Sequence, residues 1–211
     1  MGRETKIGVL AVQGDFEAHG LMLERLHAEP VWVRRPADLD GVKGVILPGG
    51  ESTTMLKFLE EEGLEPALRE FAARRGAIFG TCAGAILLAR EVRNPSQRSL
   101  NLLDVEVSRN AYGRQIASEV RHELRALNDE PMEMVFIRAP VIESVGPAVE
   151  VLASCEGKPV LVRQENILAA TFHPELTKDA TVHKLFLRMA SGEDRESRNA
   201  GGAVAVKKSH A

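Results

Sequence analysis

The sequence predicts a three-layer α/β fold: a mostly parallel sheet with helices on both faces and antiparallel strands at its edge. Three observations carry this. Short apolar runs alternate with amphipathic stretches through the N-terminal half, the pattern of parallel strands joined by crossover helices. Glycine-rich turns follow two of those runs, at Pro48-Gly49-Gly50 and at Gly80-Thr81-Cys82-Ala83-Gly84. The C-terminal half reads as strand after strand with few helical segments between them, which suits antiparallel pairing.

Residues 6–13 (KIGVLAVQ) form a compact apolar run closed by Gly14, as a buried parallel strand should. Asp15 is placed to cap the next helix, where Met22, Leu23 and Leu26 supply an apolar stripe. Residues 30–34 and 43–47 are two further short strands. After the Pro-Gly-Gly break, Ser52 or Thr53 can cap a helix that carries Met55, Leu56 and Leu59. Residues 77–81 are a fourth strand, and the apolar run 85–90 is the helix that follows it. Residues 103–108, 132–137, 149–153, 159–164 and 167–172 then read as strands. Val182, Leu185, Phe186 and Met189 recur at i, i+3, i+4 and i+7, so residues 178–190 close the fold as a helix. Residues 191–211 are polar, contain glycine and lack periodicity; they read as a mobile tail after one domain over residues 1–190.

Composition narrows the function classes. A chain of 211 residues is long enough for one α/β domain with a real core. Its 27 basic and 30 acidic residues leave a net charge of −3, so no basic field points to nucleic acid. The apolar runs are a few residues long, far short of the roughly 20 needed to cross a membrane. The first six residues carry Arg3, Glu4 and Lys6 and lead into a short strand-like segment, unlike the apolar region of a signal peptide. Two cysteines make no disulfide framework, and unpaired thiols survive best in a reducing compartment. A cytoplasmic enzyme or binding protein fits these numbers. A structural zinc site fits poorly, because two separated cysteines lack paired-ligand spacing.

The informative cysteine is Cys82. A Gly-x-nucleophile-x-Gly run between a strand and a helix is a nucleophile elbow, a turn so sharp that its flanking residues must be small. It lifts the sulfur above the carboxyl ends of the strands, where open α/β sheets bind ligands. It also sets the sulfur at a helix N-terminus, whose dipole favours a thiolate. Cys155, by contrast, reads as a small buried hydrophobe.

A cysteine nucleophile needs a base and a third group that orients the base. Among the six histidines, His173 follows an apolar strand and precedes Pro174-Glu175, which puts it on the same rim as Cys82. Proline fixes the backbone between His173 and Glu175, so the carboxylate can reach the imidazole from behind. His19 and His27 fall in the first amphipathic helix and read as structural or solvated. His122 sits in a charged surface stretch, His183 in the last helix and His210 in the tail. The remaining element is Pro48-Gly49-Gly50-Glu51-Ser52, whose paired glycines expose backbone N–H groups that can form an oxyanion hole. A phosphate loop is disfavoured there, since no Gly-Lys-Ser/Thr follows.

Together, the Pro-Gly-Gly-Glu-Ser, Gly-Thr-Cys-Ala-Gly and His-Pro-Glu segments resemble the triad-type, class I glutamine amidotransferases. Residues 8–14 (GVLAVQG), 47–54 (LPGGESTT), 109–115 (RNAYGRQ), 136–140 (FIRAP) and 172–176 (FHPEL) are similar to one branch of them. That branch is the glutaminase subunits of pyridoxal 5′-phosphate synthase. Tyr112 stands where these more often have phenylalanine, and the stretch after Gly192 matches nothing in them.

The resemblance implies a flavodoxin-like, class I glutamine amidotransferase domain that hydrolyses glutamine to glutamate and ammonia through Cys82, His173 and Glu175. It implies main-chain N–H groups near Gly50 and Ala83 as the oxyanion hole. It also implies glutamine contacts at Gly50, Glu51, Ser52, Arg109, Ile137 and Arg138, and Gln13 near the face that docks a synthase subunit. No cofactor or metal is implied. A guanidinium fork at Arg109 matches the substrate α-carboxylate. Two other readings use the same residues: a freestanding cysteine hydrolase or peptidase on a related fold, and a regulatory subunit that has lost turnover.

Overall fold

The computed structural model of the chain describes residues 5–109, 118–126 and 130–194. The chain runs β1 (Thr5–Leu10), α1 (Phe16–Arg25), β2 (Ala28–Val33), β3 (Gly44–Leu47), α2 (Ser52–Glu61), α3 (Leu64–Ala73), β4 (Ala77–Thr81), α4 (Ala83–Leu88) and β5 (Ala89–Arg93). It continues through β6 (Leu103–Ser108), β7 (Ser118–Ala126), β8 (Glu130–Ile137), β9 (Val141–Val145), β10 (Glu150–Cys155), β11 (Lys158–Gln164), β12 (Ile167–Ala170) and α5 (Thr181–Ser191). Among the described residues, nine strands form one sheet in the order β2-β1-β3-β4-β12-β11-β10-β7-β8, and β5-β6-β9 form a smaller one. The first five strands of the large sheet pair in parallel. The other four extend it antiparallel, as the C-terminal run of strands predicts.

Side-chain alternation along the central strands divides the core into two layers. Val45 and Leu47 of β3, Ile78 of β4 and Ile167 and Ala169 of β12 join one apolar cluster, with α2, α3 and α4. Their sequence neighbours Ile46, Phe79, Leu168 and Ala170 join the other, with Leu23 of α1 and Leu185 and Phe186 of α5. A period of two with both faces buried is why these strands are apolar at every position. Helices therefore cover both faces.

Several boundaries differ from the sequence-based expectation. Strand β4 matches residue for residue, and β3 begins one residue later than expected. The run expected as one helix over residues 85–90 is α4 followed directly by β5, because an apolar run of this length does not declare its backbone conformation. Helix α3 was not expected; Leu64, Leu68 and Phe71 are its buried stripe. Strands β5, β7 and β9 were also unexpected. Helix α2 is capped by neither Ser52 nor Thr53. The Glu51 carboxylate accepts from the backbone N–H groups of Thr53 at 3.1 Å and Thr54 at 2.8 Å. Asp15 occupies the cap position of α1 but makes no capping hydrogen bond. Helix α5 ends at Ser191, Gly192 follows it with φ 86°, and the Asp194 carboxylate pairs with Arg163 at 2.5 Å. Of the expected tail, residues 195–211 lie outside the described residues.

The β4–α4 turn is a steric fit. A Cβ at Gly84 would lie 1.9 Å from the Leu47 carbonyl oxygen, and one at Gly80 would lie 2.6 Å from the Gly84 carbonyl carbon. Both obstacles are backbone and cannot rotate away, which is the physical content of the two elbow glycines. Gly84→Ala is therefore expected to cost about 3 kcal/mol or more by denaturant unfolding. Gly157→Ala, with φ 77° and open space around it, should cost about 1 kcal/mol from backbone strain alone. Equal losses for the two would contradict this account of the elbow.

Candidate active site

Cys82 leaves β4 with φ 46° and ψ −103°, outside the ordinary range for a residue with a side chain. The parallel ladder holds it there, since its N–H donates to the Ala170 carbonyl of β12 at 2.9 Å. Its sulfur is mostly covered, with the residue 7% exposed, and lies 3.9 Å from the Ile137 carbonyl oxygen. Three residues beyond Ala170, the chain presents His173, whose N–H donates to the Val135 carbonyl at 2.8 Å. Two alternate carbonyls of β8 thus hold the two halves of the site.

His173 lies near enough to Cys82 for the sulfur to raise its pKa. On its other side, Nδ1 lies 2.8 Å from Glu175 Oε1. Pro174 disfavours a helical conformation at His173, which sits at φ −109° and ψ 84°. The short turn Pro174–Leu176 then folds Glu175 back under the ring. Gly49 closes the other face, where a Cβ would lie 2.3 Å from His173 Cε1. Burial works against a charge on His173, but hydrogen bonds and charges from Cys82 and Glu175 outweigh it and push its pKa up to about 10. Burial also raises the Glu175 pKa, with the His173 contact opposing that rise.

The other expected residues fall around this core. Gly50, with φ 151°, and Glu51 are exposed on the loop between β3 and α2. Arg109 Nη2 donates to Glu51 Oε1 at 3.1 Å and to Thr53 Oγ1 at 3.2 Å, so guanidinium and carboxylate stand side by side. Partial burial acts against the Glu51 charge, but hydrogen bonds from Thr54 and Thr53 hold its pKa below the usual carboxylate value. Ala83 begins α4, where a backbone N–H has no intrahelical acceptor. Ile137 ends β8, and Arg138 just after it is exposed at φ 46°. Gln13 Nε2 reaches the Glu51 carbonyl at 3.5 Å. Ser52, an expected glutamine contact, is buried, and its hydroxyl donates to Gln97 Oε1 at 3.0 Å. Residues 110–115 of the Arg109 segment, Tyr112 among them, lie outside the described residues.

Three residues near the site escaped the sequence reading. Asp15, expected only as a cap, places Oδ2 3.6 Å from His173 Nδ1. His19 and His183, read as ordinary helix histidines, are fully buried behind Glu175. The spacing of these positions, such as the 164 residues between His19 and His183, gave no local signal. Among the described residues, Asp15, His173 and Glu175 form one group whose ligand-type atoms lie within 4.8 Å of one another. The Nδ1 nitrogen that a metal would need there is already bonded to Glu175.

Comparison with known proteins bears on this geometry. Residues 9–192 match the model of the SNO glutamine amidotransferase family. The chain belongs to that family. Proteins named pyridoxal 5′-phosphate synthase subunit PdxT are similar to it along most of their length. The one from Koribacter versatilis is 58% identical over 184 residues, covering 87% of this chain and 95% of its own. That from Deinococcus radiodurans is 52% identical, covering 87% and 96%. A crystal structure described as a glutamine amidotransferase superposes with a TM-score of 0.81 at 46% identity, covering 88% of this chain and 98% of its own. PurLQS from Thermotoga maritima, at 18% identity and a TM-score of 0.61 over 85% of this chain and 92% of its own, shares the fold. The class I glutamine amidotransferase fold expected from the sequence is the one observed.

The raised pKa has a sign that can be checked. A folded-state value of about 10 lies above the ordinary 6.5. His173 thus contributes stability that is complete below pH 6.5 and is lost as pH rises toward 10. An NMR titration of the His173 ring should show it charged well above pH 6.5, and Cys82→Ala should lower the midpoint. A midpoint near 6.5 in both proteins would contradict the coupling.

Proposed function

We propose that Cys82, His173 and Glu175 carry out the glutaminase half-reaction of a pyridoxal 5′-phosphate synthase. The observation that carries this reading is the 2.8 Å His173–Glu175 hydrogen bond behind an imidazole whose pKa Cys82 raises, in a chain of a glutamine amidotransferase family. His173 takes the thiol proton, and Sγ attacks the side-chain amide carbon of glutamine. The tetrahedral oxyanion is held by main-chain N–H groups at Gly50 and Ala83. Collapse breaks the C–N bond, His173 returns the proton to the leaving group, and ammonia departs from a glutamyl thioester. His173 then takes a proton from water, which attacks the thioester and releases glutamate and the Cys82 thiol.

Substrate recognition follows from charge. The paired Arg109 and Glu51 suit the α-carboxylate and α-ammonium of an amino acid, with the guanidinium fork on the carboxylate. The backbone around Ser52 and the end of β8 at Ile137 and Arg138 complete the walls. Ammonia in bulk water is protonated and diluted, so the product serves a synthase subunit docked against this one. Gln13 bears on the Gly50–Glu51 backbone, so a partner seated at Gln13 acts on the oxyanion loop. No helix among the described residues is long and apolar enough to cross a membrane. Two buried cysteines outside any disulfide suit the reducing cytoplasm.

Ammonia release from glutamine should be low for the isolated chain and rise sharply when the synthase subunit is added. Cys82→Ala should abolish it, by at least ~1,000-fold; unchanged turnover would remove Cys82 from the mechanism. Arg109→Ala should raise KM for glutamine about tenfold, as losing a charge-assisted pair does. A chain that cleaves peptides and ignores glutamine would overturn the reading.

A further inference from the structure

Glu175 uses one carboxylate oxygen on His173; the other, Oε2, is buried and has no hydrogen-bond partner. An ionised oxygen left so bears its full desolvation penalty. His19 Nε2 stands 3.4 Å from it and 3.2 Å from the hydroxyl of Thr81, the residue before the nucleophile. On the other side of the ring, His19 Nδ1 lies 2.9 Å from His183 Nε2. Both rings are fully buried. Burial, then the neighbouring His183 and His173, lower the His19 pKa, and burial lowers that of His183 to about 4. Each ring is therefore neutral near pH 7 and carries one N–H.

Two proton arrangements fit the His19–His183 contact, and the surroundings choose between them. If His19 donated to His183, a bare Nε2 lone pair would face the Glu175 oxygen. His183 Nδ1 would then carry a buried N–H, and that atom has no partner. If His183 donates to His19, the unpartnered Nδ1 is an acceptor, which is less costly to leave unmade than a donor. The His19 Nε2–H then lies between the Thr81 hydroxyl oxygen, its hydrogen-bond partner at 3.2 Å, and the Glu175 carboxylate oxygen at 3.4 Å. The second arrangement wins at both ends.

We infer that His19, held in its Nε2–H form by His183, is a positioning residue that anchors the second oxygen of Glu175 and ties it to the Thr81–Cys82 turn. The triad is thereby extended backward through the core, Cys82 to His173 to Glu175 to His19 to His183. The 3.4 Å contact shortens in the substrate complex, where catalytic hydrogen bonds tighten. This inference rests on the triad reading above.

Nitrogen-15 NMR of the full-length chain tests the tautomer directly: His19 should show a protonated Nε2 and an unprotonated Nδ1. The opposite tautomer overturns the inference, whatever the variants do. In glutaminase assays with the synthase subunit, His19→Leu should lower kcat on the order of tenfold, as loss of an orienting outer partner does. KM for glutamine should stay within about twofold. His19→Gln, which keeps a donor near the Nε2 position, should recover most of kcat. An unimpaired His19→Leu beside an inactive Cys82→Ala removes His19 and leaves the triad. A fully active Cys82→Ala removes the triad reading itself, and this inference with it.

Discussion

The backbone of α4 rests against the carbonyl of Leu47 at a separation that no side chain at position 84 allows. That contact brings the start of α4 down onto β3, and the turn before it must be correspondingly sharp. Cys82 takes the positive φ of that turn, and its N–H is caught by Ala170 on the neighbouring strand. Because β4 and β12 are parallel and in register to Thr81 and Ala170, the chain leaving β12 emerges on the same rim as the sulfur. The base follows three residues later. The meeting of Cys82 and His173 is thus a consequence of sheet register and one close backbone contact, and little of it depends on flexible side chains.

Electrostatics at the site is a contest between burial and pairing. Burial disfavours the charged form of both His173 and Glu175; their mutual contact opposes this in each, and Cys82 opposes it in His173. For His173 the contacts win. For Glu175 burial keeps the upper hand, so the carboxylate is the member most in need of outside support. The buried pair His19 and His183 lies where that support is required, on the side of Glu175 away from the base. Asp15, partly solvated near His173 Nδ1, adds negative charge on the same flank.

Much of this was legible in the sequence, for reasons that differ by residue. Central strands such as β3 and β4 announce themselves because burial on both faces demands an unbroken apolar run. The elbow and His173-Pro174-Glu175 are local motifs, with the steric reason for each residue contained within five positions. Helix α3 carries a plain apolar stripe, but Gly63 and Pro66 at its start read as loop. The α4–β5 boundary falls inside one apolar run, where periodicity cannot separate helix from strand. Glu51 was missed as a cap because cap preference favours short side chains, whereas its carboxylate reaches two residues forward. The place of His19 was illegible for a stronger reason. It is fixed by the packing of α1 and α5 on β4, and nothing near residue 19 records where residue 175 will come to lie.

The central claim is that chemistry passes through a covalent bond to Cys82. Mass spectrometry of the chain, acid-quenched during turnover of glutamine with the synthase subunit present, tests it most directly. The account predicts a glutamyl adduct on the peptide containing Cys82 and none on the peptide containing Cys155. Steady turnover with no adduct on Cys82, or an adduct on another residue, would contradict it.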